Sequence, residues 1–245
     1  MRHSFVGRVV PRVVILGTGT NVGKTHVTRA LALALRTLRP NAKVAALKPI
    51  ESGFAPGPDS DAIRLADAAT PMSLPQPHPL FALPDPVSPH LAARRAGLPP
   101  IDVGVVVDWL ATWENTMTSH VVSCQLWSLV ETAGAVFSPL SRDASNFDLA
   151  KGLEPSLWVL VAPDCLGVLH DVRVTWEACE RRGRVPDYLV LSAARAPDAS
   201  TGTNVEELRT LGIAEPVQSV GRDCQDLSPL AHALVARFEH DSAPR

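Results

Sequence analysis

One stretch near the start of the chain restricts the fold more than any other. The apolar run Val13-Val-Ile-Leu16 leads into Gly17-Thr-Gly-Thr-Asn-Val-Gly-Lys-Thr25, and an Ala- and Leu-rich segment follows that ends before Pro40. A short apolar run closed by glycine reads as a buried strand, and Thr25 to about Leu38 reads as a helix stopped by the proline. A glycine-rich turn between such a strand and a helix, ending in Gly-Lys-Thr, is the arrangement of a phosphate-binding P-loop. Two glycines alone would make a tight turn; they do not call for Gly-Lys-Thr at the mouth of a helix. Main-chain N–H groups from Gly19 through Thr20, Asn21, Val22 and Gly23 form the cradle, because a helix N-terminus offers partial positive charge to phosphate oxygens. Lys24 is placed to meet the outer phosphates, and the Thr25 hydroxyl to ligate Mg²⁺. The spacing is unusual: Gly17 and Gly23 enclose five residues, with Thr18 where the common pattern has its first glycine.

The remaining pattern predicts an α/β fold, P-loop NTPase-like, with a mostly parallel sheet and helices on both faces. Further strands are expected at Val44–Leu47, Leu126–Val130, Leu157–Val161, Tyr188–Leu191 and Val217–Val220, and a last helix over Ser228–Phe238. Val106, Trp109, Leu110, Trp113 and Met117 recur at helical spacing, which makes them a core-facing stripe. Between residues 71 and 100 stand nine prolines. Proline lacks the N–H and fixes φ, so neither a long helix nor a central strand fits there. Leu80, Phe81, Leu83, Val87 and Leu91 supply apolar anchors, so this segment is expected to pass, ordered, over the active-site face. At 245 residues the whole chain, 1–245, is expected to be one domain.

Composition narrows the partners. A formal net charge of −2 argues against nucleic acid as the main partner, since phosphate backbones demand a basic surface. No apolar run approaches the ~20 residues needed to cross a bilayer, and the polar N-terminus lacks a signal-like core, so a cytoplasmic protein without a membrane partner is expected. Cys124, Cys165, Cys179 and Cys224 lack the spacing of a zinc site or a disulfide framework and read as buried free thiols.

A second set of residues points to a reaction. Lys48 follows the second strand, at the carboxyl edge where doubly wound sheets bind ligands, and would place a second cation near a transferring phosphoryl group. Glu131 ends an apolar run, where an unpaired carboxylate is costly, so a cation partner is expected.

Taken in order, the motifs resemble those of the ATP-dependent dethiobiotin synthetases of biotin synthesis. Gly17–Thr25 matches their GTxTxVGKT loop, and Lys48-Pro-Ile-Glu-Ser-Gly53 their KPxxSG motif. Ser60-Asp61, Ser88-Pro89-His90 and Val130-Glu-Thr-Ala-Gly-Ala135 followed by Ser138-Pro-Leu140 match the next three, so the likeness spans about the first 150 residues. Later, Leu166-Gly167 opening a helix and Pro197–Asn204 preceding another also fit.

The resemblance implies ATP as co-substrate, Mg²⁺ as cofactor, and 7,8-diaminononanoate with CO₂ or bicarbonate as the other substrates. The product would be dethiobiotin, formed through a carbamate and a carbamic–phosphoric anhydride. It implies Lys48, Lys24 and Thr20 as catalytic groups, Thr25, Asp61 and Glu131 around the metal, and Ser52 on the carbamate or phosphate. It further implies a homodimer in which Gly167, Val168 and Leu169 of one subunit hold the substrate's distal carboxylate at the other's site. Ser192 stands where the family reads adenine with an asparagine. His90 is given a capping or orienting role only, and His170 is as easily a surface histidine as a contact. Gly19 replaces an acidic residue of many relatives and the early lysine of partition-type ATPases, while Thr132 and Ala135 replace glycines. Alternatives are a nucleotide-dependent switch that binds a partner, a paralogue that kept the loop and lost the chemistry, and another small carboxylating or amidating ligase.

Overall fold

The computed structural model describes residues 10–72, 76–120, 124–155, 157–214, 217–221 and 226–241. In chain order the elements are β1 (Arg12–Gly17), α1 (Lys24–Leu38), β2 (Lys43–Leu47), β3 (Ile50–Ser52), α2 (Asp61–Ala68), β4 (Phe81–Leu83), α3 (Pro89–Arg95) and α4 (Val103–His120). Then come β5 (Leu126–Glu131), α5 (Asn146–Gly152), β6 (Leu157–Asp164), α6 (Val168–Arg181), β7 (Tyr188–Ala193), α7 (Asn204–Thr210), β8 (Val217–Val220) and α8 (Ser228–Asp241). Six strands form one parallel sheet in the order β2-β5-β1-β6-β7-β8.

Side-chain alternation divides the apolar residues of each strand between two cores. Val13 and Ile15 pack with α1, α2 and α8, whereas Val14 and Leu16 pack with α3 through α7. Leu157, Val159 and Val161 follow the first pair; Trp158, Leu160 and Ala162 follow the second. Helices on both faces explain why these strands are apolar throughout rather than alternating with polar residues. The expected strands are all present, and β5, β6 and β7 run one to three residues further, so that Glu131 and Ser192 lie inside strand ends.

The α4 stripe behaves as its spacing predicts. Val106, Leu110 and Met117 are fully buried, and Trp109 and Trp113 pack against the same core. Periodicity did not single out Glu114 on that helix, which is buried and paired with Arg12 of β1 (Nη2 to Oε2, 2.5 Å).

The described residues of the proline-rich stretch form no long element. They contribute β4, paired in parallel with β3 (Ile50 opposite Phe81, Ser52 opposite Leu83), and the seven-residue α3, which opens on Pro89. Pro at the first helical turn is tolerated because that N–H has no helical partner. Of the cysteines, Cys179 is buried as expected, but Cys124 and Cys165 are only half-buried, since each lies in a loop at a strand end rather than on a packed face. Cys224 lies outside the described residues. Among those described, no helix is long and apolar enough to cross a membrane.

Candidate active site

The sheet order places β1 centrally. The chain returns from β1 to β2 on one side and continues to β6 on the other, so a crevice opens at the carboxyl end of β1. The loop of residues 17–23 fills it. Thr18 N–H donates to Val161 O of β6 (3.0 Å) and Val136 N–H to Gly17 O (2.8 Å), which anchors the loop to both neighbours. Asn21 (φ 59°) and Gly23 (φ 96°) take left-handed backbone, turning the chain sharply into α1. Gly23 is the N-cap of α1 and provides no capping side chain, so the helix end is left for a ligand. Only glycine fits at 23, because a Cβ there would overlap the hydroxyl of Ser192 and sit 2.6 Å from its Cβ.

A cleft of about 980 Å³ lies above this loop. It is lined by Thr20, Asn21, Val22, Gly23, Lys24 and Thr25 of the loop and the mouth of α1, by Lys48, Ser52 and Asp61, and by Glu131, Ala133, Gly134 and Ser138. Pro86, Val87, Ser88 and Pro89 of the proline-rich segment line it as well, as do Ser192, Ala193 and Arg195. Residues 20–25, Lys48, Ser52, Asp61, Glu131 and Ser192, scattered over 173 positions of sequence, thus meet around one space.

Charge is concentrated around Lys48. Lys48 Nζ donates to Glu131 Oε1 (2.8 Å) and also pairs with Asp61. Glu131 is 1% exposed, and its carboxylate further accepts from Thr25 Oγ1 (2.9 Å) and Thr28 Oγ1 (3.3 Å). The cation partner expected for a carboxylate ending a buried strand is therefore Lys48 in this structure.

The two lysines differ in electrostatic setting. Burial opposes the charge of Lys48, but Glu131 and Asp61 outweigh it and raise its pKa. Lys24 donates to a carbonyl, Gly19 O, at 3.0 Å. Burial pulls its pKa down to about 8, Lys48 adding to the fall and the more distant carboxylates opposing it.

Among the described residues Ser52 Oγ is buried with no hydrogen-bond partner, although Ser52 lines the cleft. A buried hydroxyl without a partner is uncommon and fits a position that a ligand completes. The sequence motifs did not assign Glu51, one residue earlier, or Asn146. Asn146 is fully buried and donates from Nδ2 to Ala133 O (2.5 Å) and Ala135 O (2.8 Å), pinning the turn behind the cleft. A lone Asn fifteen residues past the end of β5 carries no signal of its own.

Gly167, Val168 and Leu169 are not brought into this cleft. They open α6 beyond β6, where Val168 is buried in the core and its N–H donates to Cys165 O (3.1 Å). Gly167 is another N-cap without a capping side chain. His90 Nδ1 meets Ser88 Oγ (3.1 Å) and its N–H donates to Pro139 O, an orienting arrangement between two loops.

Comparison with known proteins adds the decisive observation. A family model described as an AAA domain matches residues 11–222. The ATP-dependent dethiobiotin synthetase BioD of Saccharopolyspora erythraea is 36% identical over 226 residues, covering 92% of this chain and 93% of that protein. Those of Streptomyces coelicolor (32%, 93% and 90% covered) and Frankia casuarinae (34%, 93% and 87% covered) agree. The chain belongs to the ATP-dependent dethiobiotin synthetase family. The MinD-containing cell-division complex of Aquifex aeolicus shares the fold (TM-score 0.51, 11% identity, 96% of this chain and 98% of that chain covered).

Against the motifs of the dethiobiotin synthetase family, this chain departs at Gly19, Thr132 and Ala135. Thr132 and Ala135 are not among the residues of positive φ, so replacing glycine there strains no backbone; Gly134, at φ 83°, keeps the demanding position. The Thr132 hydroxyl donates to Ile15 O (3.0 Å), an added tie between β5 and β1. At Gly19 no side chain is present, and its carbonyl holds the Lys24 ammonium instead.

Proposed function

We propose that this protein is an ATP-dependent cyclo-ligase that joins 7,8-diaminononanoate to CO₂, yielding dethiobiotin, ADP and phosphate. The observation that carries this reading is the convergence of Lys24, from the mouth of α1, and Lys48, from the end of β2, on one cleft, with Glu131 paired to Lys48. In the reaction an amine nitrogen attacks CO₂ and loses a proton, forming a carbamate. A carbamate oxygen then attacks the γ-phosphorus and ADP leaves. The second amine attacks the carbonyl carbon, phosphate departs, and the ureido ring is closed.

Bringing a carbamate up to a triphosphate sets anion against anion, a repulsion that grows as water is excluded. Lys24, at the head of α1, is placed for the β- and γ-phosphates. We read Lys48, beside Glu131 in the same cleft, as the group that meets the carbamate and the charge that develops during transfer. Thr20 and the unpartnered Ser52 hydroxyl are read as donors to the carbamate or phosphate oxygens. Main-chain groups of Gly19 through Thr25 cradle the triphosphate, and Ser192, beside Gly23, lies toward the base.

A divalent ion suits the same corner. The carboxylates of Asp61 and Glu131 meet on the Lys48 ammonium and Thr25 Oγ1 donates to Glu131, so three oxygen-bearing side chains lie together, the hard-donor type that Mg²⁺ prefers. We read these three residues as its holders. When bound, it would neutralise phosphate charge and orient the γ-phosphoryl group. We read residues 1–245 as one catalytic unit, with residues 71–100 passing over the active-site face. In our reading Gly167, Val168 and Leu169 serve the site of a second copy, holding the substrate's distal carboxylate, so that the working form is a cytoplasmic homodimer.

The test is purified protein with Mg-ATP, bicarbonate and 7,8-diaminononanoate, followed by mass spectrometry. Dethiobiotin formed in step with ADP is expected. Nucleotide bound or hydrolysed without that product would overturn the proposal and favour a switch or a paralogue without the chemistry.

A further inference from the structure

We propose that Glu51 is a positioning residue of this site, acting on the charge cluster through the N-terminus of α2. It occupies the second variable place of the Lys48–Gly53 segment, and nothing in that motif demands an acid there. Glu51 is only 4% exposed, and it stands on β3 between Ile50, which packs into the core, and Ser52, which lines the cleft. Strand alternation sends Ser52 one way and Glu51 the other, toward α2.

There the carboxylate is fully used. Oε1 accepts from Asp61 N–H (2.8 Å), and Oε2 accepts from Ala62 N–H (3.0 Å) and from Ser60 Oγ (3.1 Å). Ser60 Oγ accepts in turn from Ile63 N–H (3.4 Å), and Arg64 N–H reaches Ser60 O (3.1 Å). The N–H groups of Asp61, Ala62 and Ile63, which have no partner within the helix, are thereby satisfied, two of them by a residue ten and eleven positions upstream, and Arg64 N–H makes the first bond of the helix itself. A buried carboxylate with three donors at a helix N-terminus is held by charge-assisted bonds and by the helix dipole.

What this arrangement fixes is Asp61. It is the first residue of α2, it holds a bond to Glu51 through its own N–H, and its side chain pairs with Lys48. The loop of residues 53–59 between them is exposed along most of its length and includes Pro56, Gly57 and Pro58, so it has little packing to set where α2 begins. Glu51 supplies that constraint. It ties the start of α2 to the strand that carries Ser52, and so sets the distance between Asp61 on one side and Lys48 with Glu131 on the other. The inference rests on the role read above for Asp61.

A double-mutant cycle tests it. Glu51→Ala and Glu51→Gln are made in the natural chain and in an Asp61→Asn background. Two quantities are measured: kcat for dethiobiotin, and the Mg²⁺ concentration giving half-maximal binding of a fluorescent ATP analogue. Glu51→Ala is expected to lower kcat, and to raise the Mg²⁺ midpoint, by about 10–100-fold, as losing a support of a ligand residue does. Glu51→Gln, which keeps the shape but turns an N–H donor toward α2, is expected to fall between. In the Asp61→Asn background neither substitution should change either quantity further. A purely structural role would instead give the same fold-loss in both backgrounds, and that result overturns the inference. So does a Glu51→Ala protein within twofold of the natural one in both readouts. Should Glu51→Ala not fold, Glu51→Gln carries the comparison by itself. Should the natural protein make no dethiobiotin, the proposed function fails, and the Mg²⁺ dependence of nucleotide binding decides the role of Glu51 alone.

Discussion

Replacing Lys48 by Met removes the one ammonium that touches Glu131 while keeping most of the apolar stem. Among the described residues Glu131, 1% exposed, would keep the hydroxyls of Thr25 and Thr28 as hydrogen-bond donors, with the Lys24 ammonium acting only through its field. Asp61 adds little to the loss, because its side chain is 32% exposed and water can replace the ammonium. Breaking a buried pair by removing one partner costs about 3–5 kcal/mol, and the two hydroxyl donors place this case near 3 kcal/mol. For a chain of this size that is a fall in melting temperature of about 6–12 °C. Removing both charges, with Lys48→Met and Glu131→Gln together, should recover most of it, because no charge is then left stranded. Thermal unfolding followed by circular dichroism at neutral pH without nucleotide reads all three proteins. A single variant that melts with the natural protein, or a double variant no more stable than Lys48→Met, would refute the view that Lys48 is the main counter-charge of Glu131.

Two further outcomes follow from the loop. Lys24, with its pKa pulled down to about 8 by burial, loses its proton as the pH rises past 8, whereas bound phosphates would hold the proton on. Nucleotide binding above that pH should therefore take up a proton, and affinity should weaken as the pH climbs from 8 to 10; calorimetry in two buffers of different ionisation heat checks it, and equal heats would count against it. Gly23→Ala meets both a φ of 96° and the Ser192 side chain. The backbone cost alone is about 1–2 kcal/mol, so ATP affinity should fall by about tenfold or more, and adding Ser192→Gly should restore only part; unchanged ATP binding by Gly23→Ala would contradict the close approach.

Much of the site was legible in the chain because its logic is local. Gly23, Lys24 and Thr25 are consecutive, and a buried strand, a left-handed turn and a helix mouth leave few other meanings for them. Glu131 was legible as a carboxylate needing a cation, since it closes an apolar run. Its partner was not, because Lys48 lies 83 residues away and meets it only after β2 pairs with β5. Glu51, Asn146 and the Glu114–Arg12 pair were silent for a related reason. Each is one polar residue among many, and only burial against a specific partner gives it a task.

The separation has a physical basis. Period, turn chemistry and capping act over a few bonds, so the sequence alone determined the strand–loop–helix cradle, the parallel sheet covered on both faces, and the exclusion of long elements from the proline-rich stretch. Strand order and side-chain burial depend on contacts between distant segments, and only the tertiary structure decided those. It placed Lys48 between Glu131 and Asp61, set Ser192 against Gly23, and turned Glu51 away from the cleft to hold the start of α2. The phosphate cradle is written in nine consecutive residues; the charges that would make it a ligase site meet only when the sheet has formed.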